Sequence, residues 1–163
     1  MLIIVGGSPG SGKSTLCEAV RSVLRCPMID FGSLREFHLE RDWSNQNEKE
    51  ERIAFENLVF IVRNYFRHGY EHVIVNDFKE PKVLELLTIF EEGSRLLVTV
   101  TADDSTIRQR VGSRLSGFTN VEAAAAWNQR LRNSERIPGE LRIDTSEHVP
   151  DVAAGMVLSE LQK

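Results

Sequence analysis

Cysteine is scarce in this sequence: Cys17 and Cys26 are the whole supply among 163 residues. They form neither a CxxC pair nor a disulfide framework, so a reduced, cytoplasmic setting is the expectation. Long apolar runs are missing too. A bilayer span needs roughly 20 such residues in a row, and nothing here approaches that, so no membrane partner is expected. Leu2-Ile3-Ile4-Val5 is apolar but runs straight into glycines, without a basic leading region or a cleavage site. It reads as a strand rather than a signal peptide. An excess of positive charge is also lacking. Lys+Arg is 20 against Asp+Glu 24, a formal net charge of -4. That argues against coating nucleic acid through bulk charge, while a local basic patch stays open. The four histidines, His38, His68, His72 and His148, show no metal spacing such as HExxH and read as surface or packing residues. What is present is 41% hydrophobic and 27% charged residues, an ordinary composition for one packed domain over residues 1–163.

Apolar blocks alternate with amphipathic segments. Short strands are expected at 2–5, 28–30, 73–75 and 96–100, with a weaker one at 141–143. Helices are expected at 14–24, with Leu16, Ala19, Val20 and Val23 on one face, and at 47–66, ended by Gly69. Further helices are expected around Val83, Leu86, Leu87 and Phe90, then at 105–115 and 121–132. A closing helix at 149–161 would turn Val152, Ala153, Met156 and Val157 inward. Residues 33–41 suggest a short helix. The polar 42–52 stretch reads as a loop with an exposed helix start or as a mobile flap. Strands alternating with helices imply an α/β fold: a mainly parallel sheet with helices on both faces, hence three layers. Ligands of such folds sit beyond the carboxyl ends of the strands.

One motif lies at such a strand end. Gly7-Ser8-Pro9-Gly10-Ser11-Gly12-Lys13-Ser14 satisfies G-x-x-x-x-G-K-[ST], the P-loop or Walker A pattern, between a strand and a helix. Its glycines let backbone N–H groups curl around phosphate oxygens, and the helix start adds a positive end. Lys13 would supply a cation to the β- and γ-phosphates, Ser14 a hydroxyl to Mg²⁺, and Thr15 a bond to an α-phosphate oxygen. Residues 7–15 are thus the expected nucleotide cradle, for ATP with Mg²⁺.

Several P-loop classes are disfavoured. No N/T-K-x-D element is present, as a GTPase would need. A AAA+ motor core would call for a longer chain and a strand ending in Asp-Glu, whereas here the strand ends Val75-Asn76-Asp77-Phe78. The whole element order resembles instead the small P-loop kinases: nucleoside monophosphate kinases, shikimate and gluconate kinases and their relatives. Asp30-Phe31-Gly32-Ser33-Leu34-Arg35 is similar to their segment ending in a substrate-binding arginine. Residues 107–114, with Arg110 and Arg114, resemble their arginine-bearing lid, here about 108–118. Ile143-Asp144-Thr145-Ser146 resembles their last strand and the turn beside the adenine. The resemblance implies a five-stranded parallel sheet in the order 2-3-1-4-5.

Candidate roles follow. Phosphoryl transfer needs a positioned acceptor, neutralised charge and excluded water. Arg110 and Arg114, four apart, would share a helix face and close over the phosphates; the alternative is a solvated basic face. Arg130, Arg132 and Arg136 read as surface residues. Asp30 is a base or an acceptor-orienting carboxylate, or simply a helix N-cap. Arg35 and Asp77 are candidate acceptor contacts. Asp77 would also join Ser14 in holding Mg²⁺, unless it caps the helix opening near Glu80-Pro81. Arg41 is a further phosphate contact or a solvated charge, and Trp43 a stacking ring or a loop anchor. Cys17, Phe55, Phe60 and Phe66 read as packing residues. The expected activity is transfer of the ATP γ-phosphoryl group to a nucleotide or other small-molecule acceptor, by a monomer or homodimer. A regulatory ATP-binding module and an NTPase completed by a partner's arginine remain as alternatives.

Overall fold

The computed structural model of the chain describes residues 1–40 and 44–162, the Glu80 side chain apart. The expectations for Arg41, Asp42 and Trp43 fall outside these residues. Five strands build one sheet: β1 (Leu2–Gly7), β2 (Met28–Asp30), β3 (Val73–Asn76), β4 (Arg95–Thr101) and β5 (Glu140–Asp144). All pairings are parallel and the order is β2-β3-β1-β4-β5, as the resemblance implied. All six residues of β1 are buried. A central parallel strand is covered on both faces, which is why its sequence is a continuous apolar run rather than an alternating one.

Among the described residues seven helices surround the sheet: α1 (Lys13–Leu24), α2 (Phe31–Arg35), α3 (Glu48–Arg67), α4 (Glu80–Ile89), α5 (Asp104–Gly112), α6 (Val121–Asn133) and α7 (Pro150–Glu160). Alternation along β1 sorts them into layers. Leu2 and Ile4 face a core with Phe55, Leu58 and Val62 of α3 and Leu86 of α4. Ile3 and Val5 face the other core, with Leu16 and Val20 of α1 and Ala153 and Val157 of α7. A smaller cluster of Ala102, Ile107, Val111, Ala124 and Ala125 joins α5 to α6.

Phe55 anchors the first core. It is fully buried, packs edge-on to Phe31 at 6.2 Å between centroids, and lies under the Lys82 ammonium at 4.3 Å. Phe55→Ala is expected to cost about 3–5 kcal/mol, read as a lower urea midpoint with an unchanged slope.

Five expectations need correction. Val23 and Val152 are 60% and 51% exposed, because the inward stripes of α1 and α7 centre on Cys17 and on Ala153-Ala154 instead. Phe60 is 68% exposed. The buried stripe of α3 runs Ala54, Phe55, Leu58, Val59 and Val62, and Phe60 points away from it. The short helix after β2 starts and stops earlier than expected, at Phe31 and Arg35, since Asp30 caps it. The helix over 105–115 ends at Gly112, so Arg110 and Arg114 do not share a helical face.

Candidate active site

β1 has β3 on one side and β4 on the other, so the chain's connections depart in opposite directions around it. The crevice at such a point lies at the strands' carboxyl ends. Register brings those ends together: Val5 lies beside Asn76, and Asp30 beside Asn76 on its other edge.

The P-loop follows β1. Gly7 has φ 150°, and a Cβ there would stand 2.4 Å from the Val100 carbonyl oxygen. No side chain fits that approach. Gly12 is the N-cap of α1 at φ 92° and offers no side-chain cap, leaving the first N–H groups of the helix open to an anion. Ser8 and Ser11 are fully buried, and the Ser11 hydroxyl has no hydrogen-bond partner among the described residues. A buried hydroxyl without a partner is costly, and a phosphate oxygen would satisfy it. The Lys13 ammonium folds back on the loop and donates to the Ser8 carbonyl at 2.9 Å. Burial pushes this ammonium below its ordinary range, opposed by the Asp77 charge, while the nearby Arg114 adds to the lowering. Ser14 and Thr15 stand exposed on the first turn of α1. The loop therefore fits a nucleotide's phosphates.

Two cavities flank this loop. The first, of about 280 Å³, is bordered by Gly12 to Leu16, Arg110, Arg114, Thr145 and His148. Arg110 ties its wall together, donating to the Gly10 carbonyl at 3.2 Å and to Thr145 Oγ1 at 2.8 Å. Thr145 Oγ1 in turn donates to the Ser11 carbonyl at 2.7 Å. The turn after β5 is thus bonded to the P-loop. Arg114, beyond the end of α5, reaches the same cavity, with its Nη1 at 3.5 Å from the Phe118 carbonyl. His148 read as a surface or packing residue from sequence and in fact borders this cavity.

The second cavity, of about 700 Å³, opens on the other side of the loop at Pro9. Asp30, Arg35 and Asp77 all border it. Asp30 is the N-cap of α2, its Oδ1 accepting from the Ser33 N–H at 3.0 Å. The capping alternative is therefore a fact, and the carboxylate still faces the cavity. Asp77 does not cap α4; that position falls to Lys79, which makes no side-chain cap bond. Asp77 sits at φ 68°, a left-handed conformation that Asp and Asn tolerate better than most residues. A Cβ at Gly32 would meet Asp77 Oδ2 at 2.7 Å and Asp30 Oδ1 at 3.0 Å, so the two carboxylates are near neighbours. Arg35 pairs with Glu51 of α3 at 2.8 Å and lies over the Phe31 ring.

Surrounding protein pushes the Asp77 carboxyl above its ordinary range, the Asp30 charge adds to this, and Lys13 and Arg35 oppose it. A carboxyl raised by folding favours the native state when protonated and disfavours it once ionised. Its contribution is best below the ordinary carboxylate range and is lost as pH rises through the raised value. Asp77→Asn is expected to raise Tm by a few degrees at most at pH 7, the gain shrinking toward pH 4. Paired thermal melts check this.

Sequence reasoning passed over Trp127, Lys79, Glu36 and Gln46, which also border the second cavity. Trp127 did carry a signal: a bulky ring directly after four alanines, Ala123 to Ala126, on a helix behind the lid. Arg132 is held by the Ala102 carbonyl at 2.6 Å and by Asp144 at 2.7 Å. Cys17 is buried and its thiol is pushed up to about 11, chiefly by burial, so it is a packing residue with little thiolate at neutral pH.

A family profile described as an AAA domain matches residues 3–125, well over half of the chain. The chain belongs to the AAA domain family. Its β3 ends at Asn76 and is followed by Asp77-Phe78, so membership does not bring the Asp-Glu pair of a motor. No curated protein matches. Solved structures do. A Janibacter sugar kinase superposes at TM-score 0.70 with 16% identity, over 99% of this chain and 94% of that one. A Sinorhizobium meliloti gluconokinase gives 0.68 and 19%, over 98% and 90%. The Mycobacterium tuberculosis APS kinase, solved with AMPPNP and APS, gives 0.67 and 13%, over 99% and 97%. At these identities the likeness is one of fold: this AAA-family domain has the fold of the small P-loop kinases.

Proposed function

We propose that this domain is a phosphotransferase that moves the ATP γ-phosphoryl group to a small-molecule or nucleotide acceptor. The observation that carries the reading is the pair of cavities meeting at one P-loop, each with its own chemistry. The 280 Å³ cavity has the cradle, two arginines and the Thr145 turn, and suits a nucleotide. The 700 Å³ cavity has carboxylates at strand ends and room for a second molecule. A module that only binds ATP has no need of the second cavity. The kinase neighbours support the same reading.

Mg·ATP supplies the phosphoryl group and the charge that the residues then manage. Lys13 exchanges its Ser8 carbonyl contact for phosphate oxygens. Ser14 and Asp77 are the protein oxygens offered to Mg²⁺. Among the described residues no group of three or more His, Cys, Asp or Glu gathers to hold a metal unaided, so Mg²⁺ would take its other ligands from phosphate and water. Arg110 and Arg114 neutralise charge from the lid side. With an alcohol acceptor, Asp30 takes the hydroxyl proton as the oxygen bonds to phosphorus and the bond to the β-phosphate oxygen breaks. ADP and the phosphate ester leave. The residues after α5 through Phe118 are exposed and close the site against water.

The test is ADP release from Mg·ATP across nucleoside monophosphates, nucleosides, sugars and sugar acids. Stimulation by one class is expected. Tight ATP binding with a flat panel would overturn the reading in favour of a binding module.

A further inference from the structure

The second cavity has a charge pattern that selects among acceptors. Three carboxylates border it: Asp30, Asp77 and Glu36. Among the described residues only two cations do, Arg35 and Lys79. Arg35 is already spent on Glu51 at 2.8 Å. That leaves Lys79 alone against three acids at the walls. The aromatic side chains Phe118 of the lid and Trp127 of α6 also border the cavity, beside the polar Ser33 and Gln46.

We infer that the acceptor held here is a hydroxyl compound carrying no negative charge of its own, with a ring face that rests on Phe118 and Trp127. This deepens the phosphotransfer reading and rests on it. A phosphate monoester or carboxylate would enter against Asp30 and Glu36, with Asp77 turned to Mg²⁺ and one uncommitted lysine to receive it. An uncharged or cationic alcohol meets carboxylate acceptors for its hydroxyls at Asp30 and Glu36, and a ring face loses no charge solvation against the aromatic side chains. Like charges placed together cost more than a lost contact gains, so charge excludes where shape alone would admit.

Two measurements test this. The first needs no substrate. Trp43→Phe leaves Trp127 as the one indole, and its quenching by caesium and by iodide is compared at fixed ionic strength, each normalised to a free indole. Nucleotide is left out, so the P-loop cations weigh against the expected order. Caesium is expected to quench at least about twofold better than iodide on this scale; iodide ahead of caesium would overturn the inference. The second uses matched acceptors differing in charge: a neutral sugar, its amino sugar and its sugar acid, and a nucleoside with its 5′-monophosphate. The uncharged or cationic member is expected to have at least about tenfold higher kcat/KM in each set, and Glu36→Lys to narrow that ratio about fivefold. Transfer that favours the anionic member overturns this inference and leaves the kinase reading standing. A panel flat for every acceptor while Mg·ATP binds overturns the kinase reading and this inference with it.

Discussion

Lys13→Ala is expected to lower acceptor-stimulated ADP release by about a thousandfold or more while the domain stays folded. The size follows from the position. Lys13 opens α1 behind a cradle of backbone N–H groups, and its ammonium is the cation nearest the loop, held at 2.9 Å from the Ser8 carbonyl. Backbone N–H groups carry partial charges, so they bind phosphate but do little to offset the full charge that develops on the transferred group. Alanine also deletes one of the side-chain bonds that brace the loop, beside those of Arg110 and Thr145, so a modest fall in Tm accompanies the kinetic loss. The two effects separate by measurement. A brace alone would raise KM for ATP, and a charge acting in the transition state lowers kcat. Lys13→Arg should rescue little, because a planar guanidinium is not a compact point charge and the buried pocket was shaped for an ammonium. Full activity in Lys13→Ala would remove the P-loop from the chemistry.

How much of this was legible beforehand depended on range. The five strands, their parallel pairing and the helix-strand alternation are local or periodic signals, and continuous apolar runs such as Leu2 to Val5 announce a strand buried on both faces. The P-loop is contiguous, so one stretch of sequence carried it whole. The second cavity is different. Its walls come from the end of β2, α2, the residues after β3, the lid and α6, which meet only once the sheet has formed, and Trp127 lies far along the chain from Asp30. Strand ends point to Asp30 and Asp77, but no pattern in sequence links Trp127 to them. The same limit explains the arginine pair. Spacing of four puts Arg110 and Arg114 on one face only if the helix continues, and it stops at Gly112. They reach one cavity by another route, Arg110 through its bonds to Gly10 and Thr145, Arg114 from the loop beyond. Helix ends are set by caps and tertiary contacts more than by propensity. Asp30 shows a third case. Cap and base were set as alternatives, yet one carboxylate has two oxygens and can serve two partners.

That double use makes Asp30 the most informative position after Lys13. Its Oδ1 accepts from the Ser33 N–H at 3.0 Å, which starts α2. Its remaining lone pairs are free to take a proton from an acceptor hydroxyl in the cavity. Asparagine caps a helix about as well as aspartate but has no basic oxygen. Asp30→Asn is therefore expected to keep Tm within about 2 °C of the parent, while kcat with an alcohol acceptor falls by about 10²–10⁴. Asp30→Ala loses the cap as well, at about 1 kcal/mol, and Tm should drop by about 2–4 °C. The asparagine variant carries a second readout. The Asp30 charge is one of the causes that hold the Asp77 carboxyl up, so removing it lets Asp77 ionise at lower pH. The acidic limb of whatever activity remains should move toward lower pH. Unchanged kcat in Asp30→Asn, with Tm also unchanged, would mean that the acceptor brings an already ionised oxygen and needs no base. That result would turn the site toward a phosphate acceptor, against the charge pattern of its own walls.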